Sequence, residues 1–417
     1  MSYHSKENGV IFLGKGSRRD SKPRFSRGGN GGGFRGGRRN SRPNFQRIDY
    51  SRFISKEVPK TVEEKVVSTA KFSDFNLQKD LLDNLTKLGY QTPTPIQERA
   101  IPEIMQGKDV IGLANTGTGK TLAFLVPLVD KLLKAKKEGK KSYNLILAPT
   151  RELALQIEEE LIKITNREMM IFSTCCVGGR DIRRQMKRLE RPNQFVIATP
   201  GRLMDLVDRR VIDLKMYNNL VLDEVDRMLD MGFIDDIESI IERLPAERQS
   251  LFFSATTDKK TQGLMNKFLQ EPSKIAVENN QASPNVVQDI VKVGKGESKE
   301  DILTEILNQD EMRKVLIFCE TKMDTENLSY HLSKKGHRVE SIHGDKTQGS
   351  RIKALKRFKE GAVTILIGTD VAARGLDMDD ISHVINFAIP KTYEDYIHRI
   401  GRTGRGGKTG NALTFVD

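Results

Sequence analysis

From about residue 70 the chain alternates short apolar runs with longer segments in which apolar residues recur every three to four positions. The runs at 109–113, 144–148, 195–198, 220–223 and 250–253 read as strands, and 152–164 and 182–189 between them as helices. Strands that are apolar throughout, rather than at every second residue, are buried on both faces. That pattern belongs to a parallel sheet covered by helices. The alternation stops at a polar stretch, 271–284, containing Pro272, Asn279, Asn280 and Pro284. It restarts with strands expected at 314–319, 339–342, 364–367, 383–386 and 412–415. The expected fold is therefore α/β, two tandem parallel-sheet domains at 69–272 and 286–417, joined by a linker at 273–285. Each is large enough to bury its own core. The chain ends at Asp417, directly after a strand, where a closing helix is expected.

Residues 1–50 break the pattern. They are rich in Gly, Arg, Ser and Asn, with too little apolar surface to offset the entropy of ordering, so 1–68 is expected to be a disordered tail. Charge separates the same two regions. The whole chain carries a formal +13, yet residues 1–60 hold 15 Lys+Arg against 4 Asp+Glu, and the remainder 54 against 52. The tail therefore suits a sequence-tolerant anchor on a polyanion, with Phe25, Phe34 and Phe45 able to stack on bases. It contains none of the motifs for chemistry described next, so its removal is expected to leave maximal turnover intact. The folded body must owe any grip on a polyanion to particular groups. Cys175, Cys176 and Cys319 lack metal-ligand spacing and read as core thiols of a cytoplasmic protein. No apolar run approaches the length of a membrane span.

Between strand 109–113 and the helical pattern from Leu122 lies Ala114-Asn115-Thr116-Gly117-Thr118-Gly119-Lys120-Thr121. Its glycines let backbone N–H groups turn toward a phosphate at a helix N-terminus. Lys120 can reach the β- and γ-phosphates, and the Thr121 hydroxyl suits Mg²⁺. Ala114 stands where the general pattern has Gly. The strand at 220–223 ends in Asp223-Glu224-Val225-Asp226. Asp223 at a strand's C-terminal edge can hold Mg²⁺, and Glu224 can orient and deprotonate an attacking water.

Together with Ser254-Ala255-Thr256 and His398-Arg399-Ile400-Gly401-Arg402-Thr403-Gly404-Arg405, in that order, these segments resemble the DEAD-box family of ATP-dependent RNA helicases over roughly residues 70–417. Val225 replaces the Ala of that family's box. The resemblance implies RecA-like domains, ATP and Mg²⁺ as cofactors, and single-stranded RNA, duplex RNA and ribonucleoprotein complexes as partners of a monomer with no membrane association. Gly89-Tyr90 through Ile96-Gln97, with Phe72 upstream, resembles its adenine-reading segment, in which Gln97 would pair with adenine and Phe72 stack on it. Asp377, within the matched segment 369–377, would also face the nucleotide. Matched segments make Arg151, Gly179, Thr199, Arg202, Thr321 and Thr369 RNA contacts. Arg402 and Arg405 become arginine fingers from the second domain. His398 and Arg399 would link that segment to Asp226, Ser254 and Thr256.

Three other readings compete. Thr321-Lys322-Met323-Asp324 after a strand is like a guanine-reading segment, but it lies in the other domain from the phosphate loop. A non-catalytic RNA clamp is opposed by the intact Lys120, Glu224, Arg402 and Arg405. A DNA helicase of related fold is opposed by the adenine-reading segment.

Overall fold

The computed structural model describes residues 10–11, 53–54, 70–114, 117–277, 285–373, 380–404 and 408–416. The strands are β1 (Val10–Ile11), β2 (Val110–Leu113), β3 (Asn144–Leu147), β4 (Ser173–Cys176), β5 (Phe195–Ala198), β6 (Asn219–Leu222), β7 (Gln249–Ser254) and β8 (Ser273–Ala276), then β9 (Val286–Lys292), β10 (Val315–Cys319), β11 (Val339–Ile342), β12 (Ile365–Thr369), β13 (His383–Asn386) and β14 (Gly410–Val416). They form two sheets, ordered β4-β5-β3-β6-β7-β2-β8 and β1-β9-β14-β13-β10-β12-β11. Every pairing is parallel. The expected fold class of two parallel-sheet α/β domains is what the structure has.

Burial on both faces explains why the central strands were readable. In β3, Ile146 packs into one core layer with Val221 and Leu251, while its neighbours Leu145 and Leu147 enter the opposite layer with Leu220 and Phe252. In the second domain Val315 and Ile317 face one layer, Leu316 and Phe318 the other. Helices fill both sides, as right-handed crossovers between parallel strands require.

Two expectations need correction. The linker was expected from residue 273, but Ser273–Ala276 is β8, the edge strand of the first sheet beside β2. Only Ile275 of that strand is buried, so it reads as polar. The tail was expected to be disordered through residue 68. Within it, β1 pairs with β9, and Phe53 is fully buried against the second domain. Apart from Ile54, the other residues of the tail lie outside the described residues. Among the described residues no helix is long and apolar enough to cross a membrane.

Candidate nucleotide and nucleic-acid site

Sheet order sorts the motifs. β6, β7 and β2 are adjacent, and their C-terminal ends deliver Asp223-Glu224, Ser254-Ala255-Thr256 and the phosphate loop to one place. The other half of the edge, β4-β5-β3, delivers Gly179, Thr199 and Arg151. Ligands of open α/β sheets bind outside such carboxyl ends.

The phosphate loop enters the helix Lys120–Lys137 through Gly119 at φ +91°, with Gly117 at φ +85°. Lys120 is buried, and its Nζ donates to the Ala114 carbonyl at 2.8 Å, holding the loop in a curl. Thr118 and the half-buried Thr121 flank it. Thr116 lies outside the described residues, as do Asp377 and Arg405. A side chain at 119 would collide with Gln97, whose Cβ-position clearance to Nε2 is only 2.4 Å. Gln97 itself is buried: Nε2 donates to the Gly119 carbonyl (2.9 Å) and Oε1 accepts from the Thr94 N–H (2.9 Å). One amide proton and one lone pair remain for a base, so Gln97 ties the loop to the helix Pro95–Met105 whatever it reads. Phe72 departs from expectation. It is 1% exposed and part of the hydrophobic core, so stacking on a base would need it to leave that packing.

Asp223 and Glu224 share a buried site but not an electrostatic one. Burial, reinforced by neighbouring carboxylates and only partly offset by Lys120, pushes Asp223 up to about 7. Burial would also raise Glu224, but Arg227, Lys120 and Arg402 outweigh it and hold the carboxyl below its usual range. Arg227, one turn on in the helix Val225–Asp230, pairs with Glu224 Oε2 at 3.0 Å. Arg227 escaped the sequence reading, although its i+3 spacing from Glu224 was the available signal. Arg402 comes from the second domain, is 3% exposed, and lines one small cavity with Lys120, Glu224, Arg227 and His398.

Asp226 gathers the Ser-Ala-Thr segment. Its Oδ2 accepts from the Ala255 and Thr256 N–H groups, both at 3.0 Å, and from the Thr256 hydroxyl at 3.1 Å. Ser254 Oγ donates to the Thr256 carbonyl at 2.7 Å, closing the turn. Arg399 was expected to join this network across the cleft and does not. Its Nε and Nη2 form a bidentate pair with Asp370 (2.7 Å each), and Nη1 donates to Ala388 and Asn386, all within the second domain. A buried guanidinium with four of its five N–H donors engaged inside its own domain organises that domain. His398 does face across, sharing a cleft of about 570 Å³ with Asp226, Thr256 and Thr369.

The expected RNA contacts occupy both sides of the cleft. Arg151 begins the helix Arg151–Ile164 and lies over Gly179, where a Cβ would sit 2.2 Å from its Nη1. Thr199 precedes the helix Pro200–Asp208 without spending its hydroxyl on the cap, and Arg202 in the first turn donates to the Arg180 carbonyl. Thr321 is different. It caps the helix Lys322–Lys334 reciprocally with Asp324, donating to its carboxylate at 2.7 Å and accepting from its N–H at 3.1 Å. The Thr-Lys-Met-Asp pattern is thus a capping box, which accounts for the guanine-reading likeness. One acceptor lone pair, but no hydroxyl proton, is left at Thr321.

Glu152 was not singled out from sequence. It is 5% exposed and bridges the domains, Oε1 accepting from Gln348 Nε2 at 2.9 Å and Oε2 pairing with Arg351 at 2.8 Å. Cys175, Cys176 and Cys319 are buried thiols, with burial pushing Cys176 and Cys319 up to about 12.

These features define a P-loop protein whose site is completed across two RecA-like domains. The chain belongs to the DEAD/DEAH box helicase family, whose model matches residues 94–264, followed by a helicase conserved C-terminal domain at 298–407. It is 44% identical over 348 residues to the DEAD-box ATP-dependent RNA helicase CshA of Bacillus subtilis, covering 84% of this chain and 70% of that protein. The CshA of Listeria monocytogenes is also 44% identical, over 83% of this chain and 66% of that one. Among solved structures, S. cerevisiae Dbp5 bound to RNA and ADP BeF3 matches with TM-score 0.73 and 31% identity, over 83% of this chain and 89% of that one. Mss116p bound to ssRNA and AMP-PNP matches with TM-score 0.74 and 33% identity, over 84% and 75%.

Proposed function

We propose that this chain hydrolyses ATP in an RNA-dependent cycle and uses closure of its two domains to separate short RNA duplexes or remodel ribonucleoproteins, largely without regard to sequence. The observation that carries this reading is Arg402 of the second domain placed beside Glu224 and Lys120 of the first. A catalytic carboxylate that draws one of its three neighbouring cations from across the cleft, beside Arg227 and Lys120 of its own domain, is complete only when the cleft is closed.

The residues fit Mg²⁺. Asp223 is buried with its carboxyl raised, a state that a cation relieves, and Mg²⁺ takes one or two protein oxygens plus phosphates and water. Asp223, aided by the Thr121 hydroxyl, would hold it, and when bound it would neutralise charge on the β- and γ-phosphate oxygens. Loop N–H groups and Lys120 grip the phosphates. Glu224, kept ionised, orients a water on the γ-phosphorus and takes its proton as the P–O bond to ADP breaks. Arg402, and Arg405 by the family pattern, offset the charge on the transferring group. Gln97 favours adenine.

Arg151, Gly179, Thr199, Arg202, Thr321 and Thr369 present amides, hydroxyls and cations to the RNA backbone, which carries little base information. ATP and RNA each engage both domains, so each favours closure for the other. We place the protein in the cytoplasm, acting as a monomer, since one chain supplies both halves of the site. Its three buried free thiols suit a reducing compartment.

The test is steady-state ATPase with no nucleic acid, with RNA and with DNA of the same sequence, beside strand separation of a short RNA duplex. Turnover stimulated by RNA and not by DNA is expected. Binding without turnover would make the chain a clamp, and equal stimulation by DNA would overturn the RNA assignment.

A further inference from the structure

The fully buried Phe53 belongs to none of the motifs used above. Its ring sits 4.4 Å from that of Tyr396, itself completely buried, and both belong to a cluster with Val286, Ile290, Ile400 and Val416. Ile54 packs on the cluster's margin. Tyr396 is held from its other end as well, its hydroxyl donating to Gln288 Oε1 at 2.8 Å on β9. The same strand receives β1, with Val10 opposite Ile290. Two separated points of the N-terminal segment thus land on one edge of the second domain, although the first domain begins near Ala70.

Tyr396 and Ile400 are one face of the helix Tyr393–Ile400. A turn around the same helix are His398 and Arg399, and its end runs directly into Arg402, whose N–H bonds the Arg399 carbonyl at 3.1 Å. The face that Phe53 covers is therefore the back of the element whose front supplies the cross-cleft cation. A buried aromatic ring is a large share of the packing behind one eight-residue helix. Removing it leaves a cavity into which the helix can settle.

We propose that Phe53 is a positioning residue for ATP hydrolysis: an anchor from the N-terminal segment that seats the helix Tyr393–Ile400 so that Arg402 meets the γ-phosphate. The inference rests on the hydrolytic reading above. It amends the expectation that the whole tail is dispensable for turnover, because a tail deletion that includes residue 53 removes the seat along with the charge.

The chain has no tryptophan, so Phe53→Trp in the full-length protein introduces a single reporter at the anchor. Its emission should be blue-shifted and poorly quenched by acrylamide in the native protein, shifting to the solvent value on unfolding. In parallel, ATP turnover at saturating RNA is measured for Phe53→Ala and Phe53→Leu. Phe53→Ala should lower kcat roughly ten-fold, within the 10²-fold that an ångström of misplacement costs. KM for ATP should change much less than kcat, since Gln97, the phosphate loop and Lys120, which supply most of the grip on ATP, lie in the first domain, and Phe53→Leu should recover most of the loss. A solvent-like Trp emission in the native state would overturn the docking. A Phe53→Ala kcat close to wild type, or a leucine variant as impaired as the alanine one, would overturn the positioning role. Wild-type protein without RNA-stimulated turnover would instead remove the hydrolytic reading, and the emission would still decide whether Phe53 is docked.

Discussion

In the proposed mechanism Glu224 concentrates the chemistry in one residue. It adopts φ +53°, a left-handed conformation uncommon for a side chain of its size, at the junction of β6 and the following helix. The backbone there is held because its N–H bonds the Asp223 carboxylate at 3.0 Å. Glu224→Gln keeps the shape and the loop but cannot take a proton. Turnover should fall by about 10²-fold or more, while nucleotide and RNA still bind, checked by single-turnover hydrolysis beside RNA binding in the presence of ATP. Asp223 makes a different demand. Its folded carboxyl is raised toward 7, so the folded state holds a proton that the unfolded state has lost above pH 4. The linked stabilisation is full below the unfolded value and disappears as pH rises through about 7. Without Mg²⁺ or nucleotide, the melting temperature should therefore decline between pH 5 and about 8, and Asp223→Asn should flatten that decline; identical slopes would reject the assignment. These two carboxylates were legible from sequence because adjacency at a strand end carries their chemistry. Arg227, which sets the charge of Glu224, was less so, since one basic residue in a helix resembles any other until its neighbour is placed.

At the scale of elements, legibility mostly followed burial. β5 and β13, buried throughout, lie where the apolar runs put them, while β4, β8 and β9 escaped because part-polar strands lose the continuous apolar signal; β11, a half-buried edge strand, is the exception that was found. Thr321-Lys322-Met323-Asp324 shows the converse, a pattern with two chemical meanings that only the hydrogen bonds separate. Loop geometry was the least visible. Gly179 was expected to contact RNA, but sequence gave no hint that its bare Cα, at φ +74°, lies against Arg151 and Gln348 from opposite domains. Gly179→Ala would be strained by its backbone and would push the Arg151 guanidinium aside. RNA affinity in the presence of a non-hydrolysable ATP analogue should drop, while nucleotide affinity without RNA should hold. Unchanged RNA affinity would show that the loop tolerates the methyl group and that the close approach has no role in binding.

For the whole molecule, two connections decide behaviour, and neither lies in the phosphate loop. The first is the basic tail. Residues 1–50 carry 12 Lys+Arg against 3 Asp+Glu, and deleting them spares Phe53. RNA affinity should weaken and its dependence on salt flatten, because fewer counterions are displaced, while turnover at saturating RNA should persist. An unaltered salt slope would show that the tail does not touch RNA. The second is the bridge from Glu152 to Gln348 and Arg351, buried between domains that share no sheet. In an open molecule all three side chains regain water, so Glu152→Ala penalises the closed state alone. It leaves the Arg351 guanidinium buried without its carboxylate, a loss on the order of 2 kcal/mol or more for a truncated buried charge pair. That is roughly 30-fold in the closing equilibrium, since about 1.4 kcal/mol is a factor of ten. On the proposed mechanism closure couples RNA to nucleotide, so their mutual enhancement should shrink by a comparable factor in both directions. The measurement is RNA affinity with and without a non-hydrolysable ATP analogue, set against nucleotide affinity with and without RNA. A fragment covering 69–277 carrying the same substitution should bind nucleotide and melt like its parent, since Gln348 and Arg351 are not in it. If Glu152→Ala preserves the coupling, closure is held elsewhere on the interface, and the bridge records proximity rather than control.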